Sequence, residues 1–173
     1  KLEEQGLVEV LPRKGYRVRR IDIRDVRDMY GIRHMLEREC VTLMIETASD
    51  EVLEKLETFR SGPRHADLSS WIAYNRAFHS YIAVNCGNAR LARISREMIE
   101  QFDRLTKVSV TSSGDEMSLD IYVREHGEII DAIRARNKRQ ATARAREHIE
   151  SSRKRVLDSL ETVSVIDTDP DGR

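Results

Sequence analysis

Trp71 to Asn88 reads WIAYNRAFHSYIAVNCGN, and this stretch decides the fold. Trp71, Ile72, Phe78, Ile82 and Cys86 recur at helical spacing, so one side of the segment faces a core. Asn75 and His79 fall on the same stripe, one turn apart, and their polar ends can point at a common centre. Asp67 or Ser69 can cap the start of this helix. Gly87 can end it in the left-handed conformation, and Asn88 can cap the helix that follows.

Working outward, the flanking segments read the same way. Towards the C-terminus a helix is expected from Ala89 to about Val110, broken by Thr111-Ser112-Ser113-Gly114. From Asp115 another carries Leu119, Tyr122, Val123, His126, Ile129, Ile130 and Ile133 inward. Arg136-Asn137 then turns the chain into a last helix from Ala141 to about Leu160, and the tail DTDPDGR, without apolar content, is expected to be disordered. Towards the N-terminus, Asp22 caps a helix reaching about Ala48, with Val26, Met29, Tyr30, Met35, Leu36, Cys40, Leu43 and Met44 inside. Ser49-Asp50 starts a shorter helix through Leu53, Leu56 and Phe59, stopped by Ser61-Gly62-Pro63, and Arg64 to Ala66 is an exposed connection.

The opening differs. Lys1 to Gln5 reads as the last turn of a helix ended by Gly6, so further chain is expected upstream of Lys1. Leu7 to Leu11 is β-prone, Pro12-Arg13-Lys14-Gly15 is turn chemistry, and Tyr16-Arg17-Val18 can return as a second strand. The expected class is therefore all-α. An antiparallel bundle of about six helices follows a short β-hairpin, and ligand sites in such bundles are built from side chains on facing helices.

Composition narrows the function. The 173 residues suit one domain, the default, or one domain with a fragment of another. Lys+Arg 30 balances Asp+Glu 30, so nothing in the overall charge attracts nucleic acid, and a basic patch must be local. The run Arg134, Arg136, Lys138, Arg139, Arg144, Arg146 is interspersed with acids and reads as an exposed helix face. Cys40 and Cys86 lie in apolar helical patterns, as reduced core thiols do. No apolar run approaches the ~20 residues that span a bilayer, no signal-peptide pattern opens the chain, and the expected compartment is the cytoplasm.

Three of the five histidines, His79, His126 and His148, occupy inward stripes on three helices, whereas His34 and His65 have no comparable placement. They can converge with Asn75 on a metal ion. The competing reading is that each is a hydrogen-bonded core histidine.

Five phrases resemble one family. LEEQGLVEVLPRKGYRV, residues 2–18, is similar to the wing of the winged helix-turn-helix domain of GntR-family transcription regulators. NRAFHSYIAVNCGN at 75–88, EHGEIIDAI at 125–133 and AREHI at 145–149 resemble the D-x-x-F-H...G-N, E-H-x-x-I-x-x-A-I and A-x-x-H motifs of the FCD domain, the effector-binding half of FadR-like members. RHMLE at 33–37 matches the R-x-x-L-E of its first helix. The resemblance implies three domain segments: residues 1–19 as the end of the DNA-binding domain, 20–162 as the effector-binding and dimerisation domain, and 163–173 as the tail.

It implies a site as well. Many FCD domains bind a divalent cation through one Asp and three His, and the matching positions are Asn75, His79, His126 and His148. Asn75 departs from the family's carboxylate. An amide oxygen ligates without charge, so weaker binding or more dependence on an anionic ligand is expected. Three imidazoles favour zinc or nickel. A small organic acid is the implied effector, with Arg33 as its anchor, although Arg33 can equally pair with Glu37 on its own helix. Tyr30 and Tyr81 are candidate pocket-lining residues or plain core. Arg13, Lys14 and Gly15 at the wing tip are the implied operator contacts, and a homodimer suits pseudo-palindromic DNA. Two other classes stay open. A metalloenzyme could use the same three histidines, but no HExxH motif supplies a base, and Glu125 and Glu128, flanking His126, are expected to point away from its face. A ligand-free structural helical dimer is the third.

Overall fold

The computed structural model describes residues 8–18, 21–63, 67–113 and 117–166. Strands β1 (Val8–Leu11) and β2 (Gly15–Val18) form an antiparallel hairpin with Val8 opposite Val18 and Leu11 opposite Gly15. Its turn has a physical signature. Pro12 sets the first corner, Arg13 takes a φ of 63°, Gly15 one of 88°, and Lys14 N–H donates to the Leu11 carbonyl at 2.9 Å, the pattern of a type II turn continued by a glycine. The expected helix end at Lys1 to Gln5, the Arg64 to Ala66 connection and the DTDPDGR tail lie outside the described residues.

Six α-helices follow: α1 (Ile23–Thr47), α2 (Asp50–Glu54, continued by a 3-10 turn at Lys55–Phe59), α3 (Leu68–Val84), α4 (Ala89–Ser113), α5 (Met117–Arg134) and α6 (Lys138–Ile166). Side-chain caps start five of them. Asp22 accepts from Arg24 N–H at 2.7 Å, Ser49 from Val52 at 3.4 Å and Asp67 from Ser70 at 2.7 Å. Asn88 accepts from Arg90 and Leu91, and Asn137 from Gln140, each satisfying donors the helix cannot. The Asn137 cap starts α6 at Lys138, earlier than Ala141, and α6 continues past Leu160 to Ile166. Helix α4 likewise runs through Thr111, whose hydroxyl is satisfied by bonding back to the Lys107 and Val108 carbonyls.

The α5–α6 corner is closed by Arg136, in the left-handed region at φ 51°. Asn137 N–H bonds to the Ala132 carbonyl and Arg136 N–H to that of Ile133, a Schellman closure with arginine where glycine is usual. The Arg136 guanidinium donates to the Ile45 and Ala48 carbonyls and to Asp50, so it caps the end of α1. Most of the basic run is neutralised in this way. Arg134 pairs with Glu57, Lys138 with Glu46, and Arg144 with Glu147 and Glu128.

Helix α6 packs against α1, α4 and α5, while α3 packs against α4 and α1. Two apolar clusters result. One gathers Cys40, Met44, Leu56, Phe78, Ile82, Ile129, Ile130, Ile133 and Ala145. The other gathers Val26, Tyr30, Phe102, Leu105, Ile149 and Val156. A polar layer lies between them along α1 and α6, carried by buried Arg33, Glu37 and His148. The inward stripe of α1 runs Val26, Tyr30, Arg33, Glu37, Cys40, Val41, Met44, Ile45. Met35 is 64% exposed, contrary to its expected burial, because the 3.6-residue stripe passes through Arg33 and Glu37 instead.

Candidate metal centre

His79 enters from α3, His126 from α5 and His148 from α6, each at most 2% exposed. One ring nitrogen from each lies within 4.8 Å of the other two. Asn75, one turn before His79, is also buried on α3. The three helices bring the imidazoles together because each histidine continues an apolar stripe: Phe78 stacks on the His126 ring at a centroid distance of 4.0 Å, and Ile129, Ala145 and Ile149 are buried beside the histidines in sequence.

The hydrogen bonds assign the tautomers. Tyr74 donates its hydroxyl to the Phe59 carbonyl at 2.6 Å. Its oxygen therefore accepts from His126 Nδ1, 3.3 Å away, which leaves His126 Nε2 with a lone pair. That atom is buried with no partner. His148 Nδ1 lies 2.8 Å from Glu125 Oε2, and an ionised carboxylate only accepts, so Nδ1 carries a proton and the neutral ring's lone pair sits on Nε2. His79 Nε2 takes 2.9 Å from the Arg33 guanidinium, a pure donor. Its Nδ1 faces Glu37 Oε1 at 2.7 Å, close but off the line of a good hydrogen bond. In their neutral forms all three rings carry the proton on Nδ1 and aim Nε2 inward.

Distances agree with that assignment. His79 Nε2 and His148 Nε2 are 3.3 Å apart, about the separation of two nitrogens bound tetrahedrally at 2.0–2.1 Å to one ion. Burial, the largest influence, pushes His79 down to about 4 and His126 well below the ordinary imidazole value, so both are neutral near pH 7 and able to ligate. A buried orphan nitrogen and two lone pairs at coordination distance fit a divalent cation.

Around this centre stands a ring of compensating charge. Burial opposes ionisation of Glu37, yet His79 and Arg33 hold its carboxyl well below the usual range. Burial likewise opposes ionisation of Glu125, but hydrogen bonds from His148 and Arg155 bring it to about 2. Arg155 reaches both Glu125 oxygens, at 3.2 and 3.0 Å, and lies 4.0 Å over the Tyr122 ring. Carboxylates that orient metal-binding imidazoles are a recurrent outer shell. The sequence had expected Glu125 and Glu128 to point away from the face of His126. Glu128 does, pairing with Arg144 at the surface. Glu125 turns instead onto His148 of the next helix, and Tyr74 and Arg155 were likewise missed.

The other expected residues are placed as follows. Arg33 is buried, pairs with Glu37 on its own helix at 3.2 Å and also bonds His79. Tyr30 and Tyr81 are structural: their hydroxyls bond Ser152 and the Val52 carbonyl. Arg13, Lys14 and Gly15 are exposed at the hairpin turn.

Residues 28–151 match the FCD domain family. The chain belongs to that family. This FCD domain is 28% identical over 145 residues to YdhC of Bacillus subtilis, an uncharacterized HTH-type transcriptional regulator, covering 81% of the chain and 63% of YdhC. Among solved structures, a GntR-family regulator from Pseudomonas syringae superimposes with a TM-score of 0.74 at 22% identity, covering 96% of this chain and 70% of that one. The metal-free FCD domain of TM0439 matches with a TM-score of 0.66 at 18% identity, over 83% of this chain and 99% of its own. The chain thus spans under two thirds of YdhC. No helix among the described residues is long and apolar enough to cross a membrane.

Proposed function

We propose that this FCD domain is the effector-binding and dimerising part of a cytoplasmic, DNA-binding transcription regulator. A divalent ion, zinc or nickel by ligand type, is held by His79, His126 and His148, with the Asn75 amide as the fourth protein ligand. The observation that carries this reading is the convergence of one ring nitrogen from each of three buried histidines to within 4.8 Å of one another. When bound, the ion supplies a Lewis-acid attachment point for a small carboxylate. The chain's own residues do the rest. Tyr74 and Glu125 fix the tautomers of His126 and His148, Arg155 fixes Glu125, and Arg33 offers two N–H groups to the acid.

Residues 1–19 belong, in this reading, to a winged helix-turn-helix domain whose Arg13 and Lys14 meet operator phosphates while Gly15 shapes the turn. Residues 20–162 form the effector domain, and 163–173 trail it. Ile32 and Met35 on α1 and Ile94 on α4 face solvent, on two helices that pack together, and give a second copy an apolar surface to cover. Regulation follows if the acid favours one spacing of the paired DNA-binding heads, because a ligand of equal affinity for both states shifts nothing. Catalysis has less support. The carboxylates nearest the centre are held by imidazole and guanidinium groups, which leaves neither placed as a general base. Titrating hydroxy- and keto-acids, with zinc or nickel present, against operator binding by the full-length dimer tests the proposal. One acid should change operator affinity and lose that effect with His79→Ala. Acids that stabilise the protein yet never alter DNA binding would refute the regulatory role.

A further inference from the structure

The position that a metal would take is contested by the chain itself. Arg33 Nη2 donates to His79 Nε2 at 2.9 Å, and an imidazole nitrogen has one lone pair. While that hydrogen bond stands, His79 is not a ligand. The guanidinium is also tethered: its Nε bonds Glu37 at 3.2 Å and its carbon lies 4.7 Å over the Phe102 ring. It is buried at 4% exposure, and the slot beside Arg33, Glu37, Cys40 and His79 measures about 10 Å³. That is room for about one water and none for an organic acid.

Charge counting sharpens the conflict. Arg33 and Arg155 balance Glu37 and Glu125, a ligating imidazole carries no charge, and Asn75 adds none. A dication entering beside an unmoved guanidinium would leave a buried excess of two positive charges, which costs heavily at low dielectric. An incoming carboxylate cures both problems, since it offsets part of that charge and gives the guanidinium a better acceptor than an imidazole.

Resting on the metal reading above, we propose that Arg33 is an internal cation that occupies His79 in the metal-free state and makes metal and carboxylate binding cooperative. In the exchange, His79 Nε2 gives up the Arg33 N–H and takes the ion. The Arg33 N–H groups pass to the carboxylate oxygens, and Glu37 keeps its hold on the guanidinium throughout. No proton is transferred. By linkage, each ligand raises the affinity for the other by the same factor.

Calorimetric titration of the protein with nickel, with and without acetate, tests this. Saturating acetate should tighten nickel binding to the wild type about tenfold or more, the scale of a charged hydrogen bond removed from competition. Arg33→Gln should bind nickel alone about tenfold more tightly than the wild type and lose most of the acetate effect. If wild-type nickel binding is stoichiometric and abolished by His79→Ala, yet Arg33→Gln binds no more tightly, the competition is refuted while the metal site stands. If neither protein binds nickel, both ideas fall. A crystal structure of the wild type with nickel and acetate needs no variant. The guanidinium should have left His79 Nε2 for the acetate, and a guanidinium still within hydrogen-bond reach of that nitrogen beside a bound ion overturns the proposal.

Discussion

Glu125, on α5, accepts the Nδ1–H of His148, on α6, at 2.8 Å, and is itself gripped by Arg155. The contact sets which nitrogen of His148 faces the other two rings, so its loss should be felt at the proposed metal site. Glu125→Ala should weaken zinc or nickel affinity by about 10- to 100-fold, as loss of such outer partners does. Glu125→Gln, which can still accept the N–H, should lose less. Competition with a chromophoric chelator measures both, and unchanged affinity in the alanine variant would contradict the assigned tautomer.

His126 Nε2 is a buried acceptor without a partner, a destabilising feature in the metal-free protein. His126→Leu, similar in volume, removes it. The variant should melt a few degrees higher than the wild type without metal, by about 1–3 kcal/mol of relieved desolvation. The proposed site predicts that zinc or nickel raises the wild type's melting temperature, and the variant should lose that rise. Paired melts with and without metal read both signs.

Acid should unfold the metal-free domain early. His79 falls to about 4 and His126 well below its ordinary value in the folded state, so the unfolded chain binds more protons between about pH 6.5 and 4. Stability is complete above that window and falls as pH drops through it. Glu125, at about 2, extends the loss below pH 4.5 in the same direction. Urea unfolding from pH 7.5 to 4 should show stability falling with a slope of one to two protons per molecule. A flat profile would contradict the buried, neutral imidazoles.

Gly87 sits at φ 74°, and a Cβ there would lie 2.8 Å from Thr47 Oγ1. Gly87→Ala should therefore destabilise by more than the ~1 kcal/mol of left-handed strain alone, measurable as a lower urea midpoint at unchanged slope.

The hairpin turn, as the proposed wing, offers a separate prediction. Arg13→Ala with Lys14→Ala in the full-length regulator should weaken operator binding and flatten its salt dependence by about one to two in the log-log slope. An unchanged slope would place the DNA contacts elsewhere.

The bundle was legible because its punctuation is local. Asp22, Ser49, Asp67 and Asn88 cap helices where the sequence put them, and the histidines declared themselves by interrupting apolar stripes at helical spacing. The outer shell was not legible, since nothing along the chain says that Glu125, neighbour of an inward histidine, reaches a different helix 23 residues on. Met35 failed for a related reason. Following apolar residues along α1 drew the stripe away from Arg33 and Glu37, the polar pair that the site requires. The end of α4 was misjudged because Thr111 satisfies its hydroxyl against the preceding turn.

X-ray absorption of the zinc- or nickel-loaded domain measures the central convergence most directly. The account predicts a first shell containing three imidazole nitrogens at about 2.0–2.1 Å, reduced to two in His148→Ala. A shell with fewer than three imidazoles in the wild type, or one unaltered by His148→Ala, would contradict it.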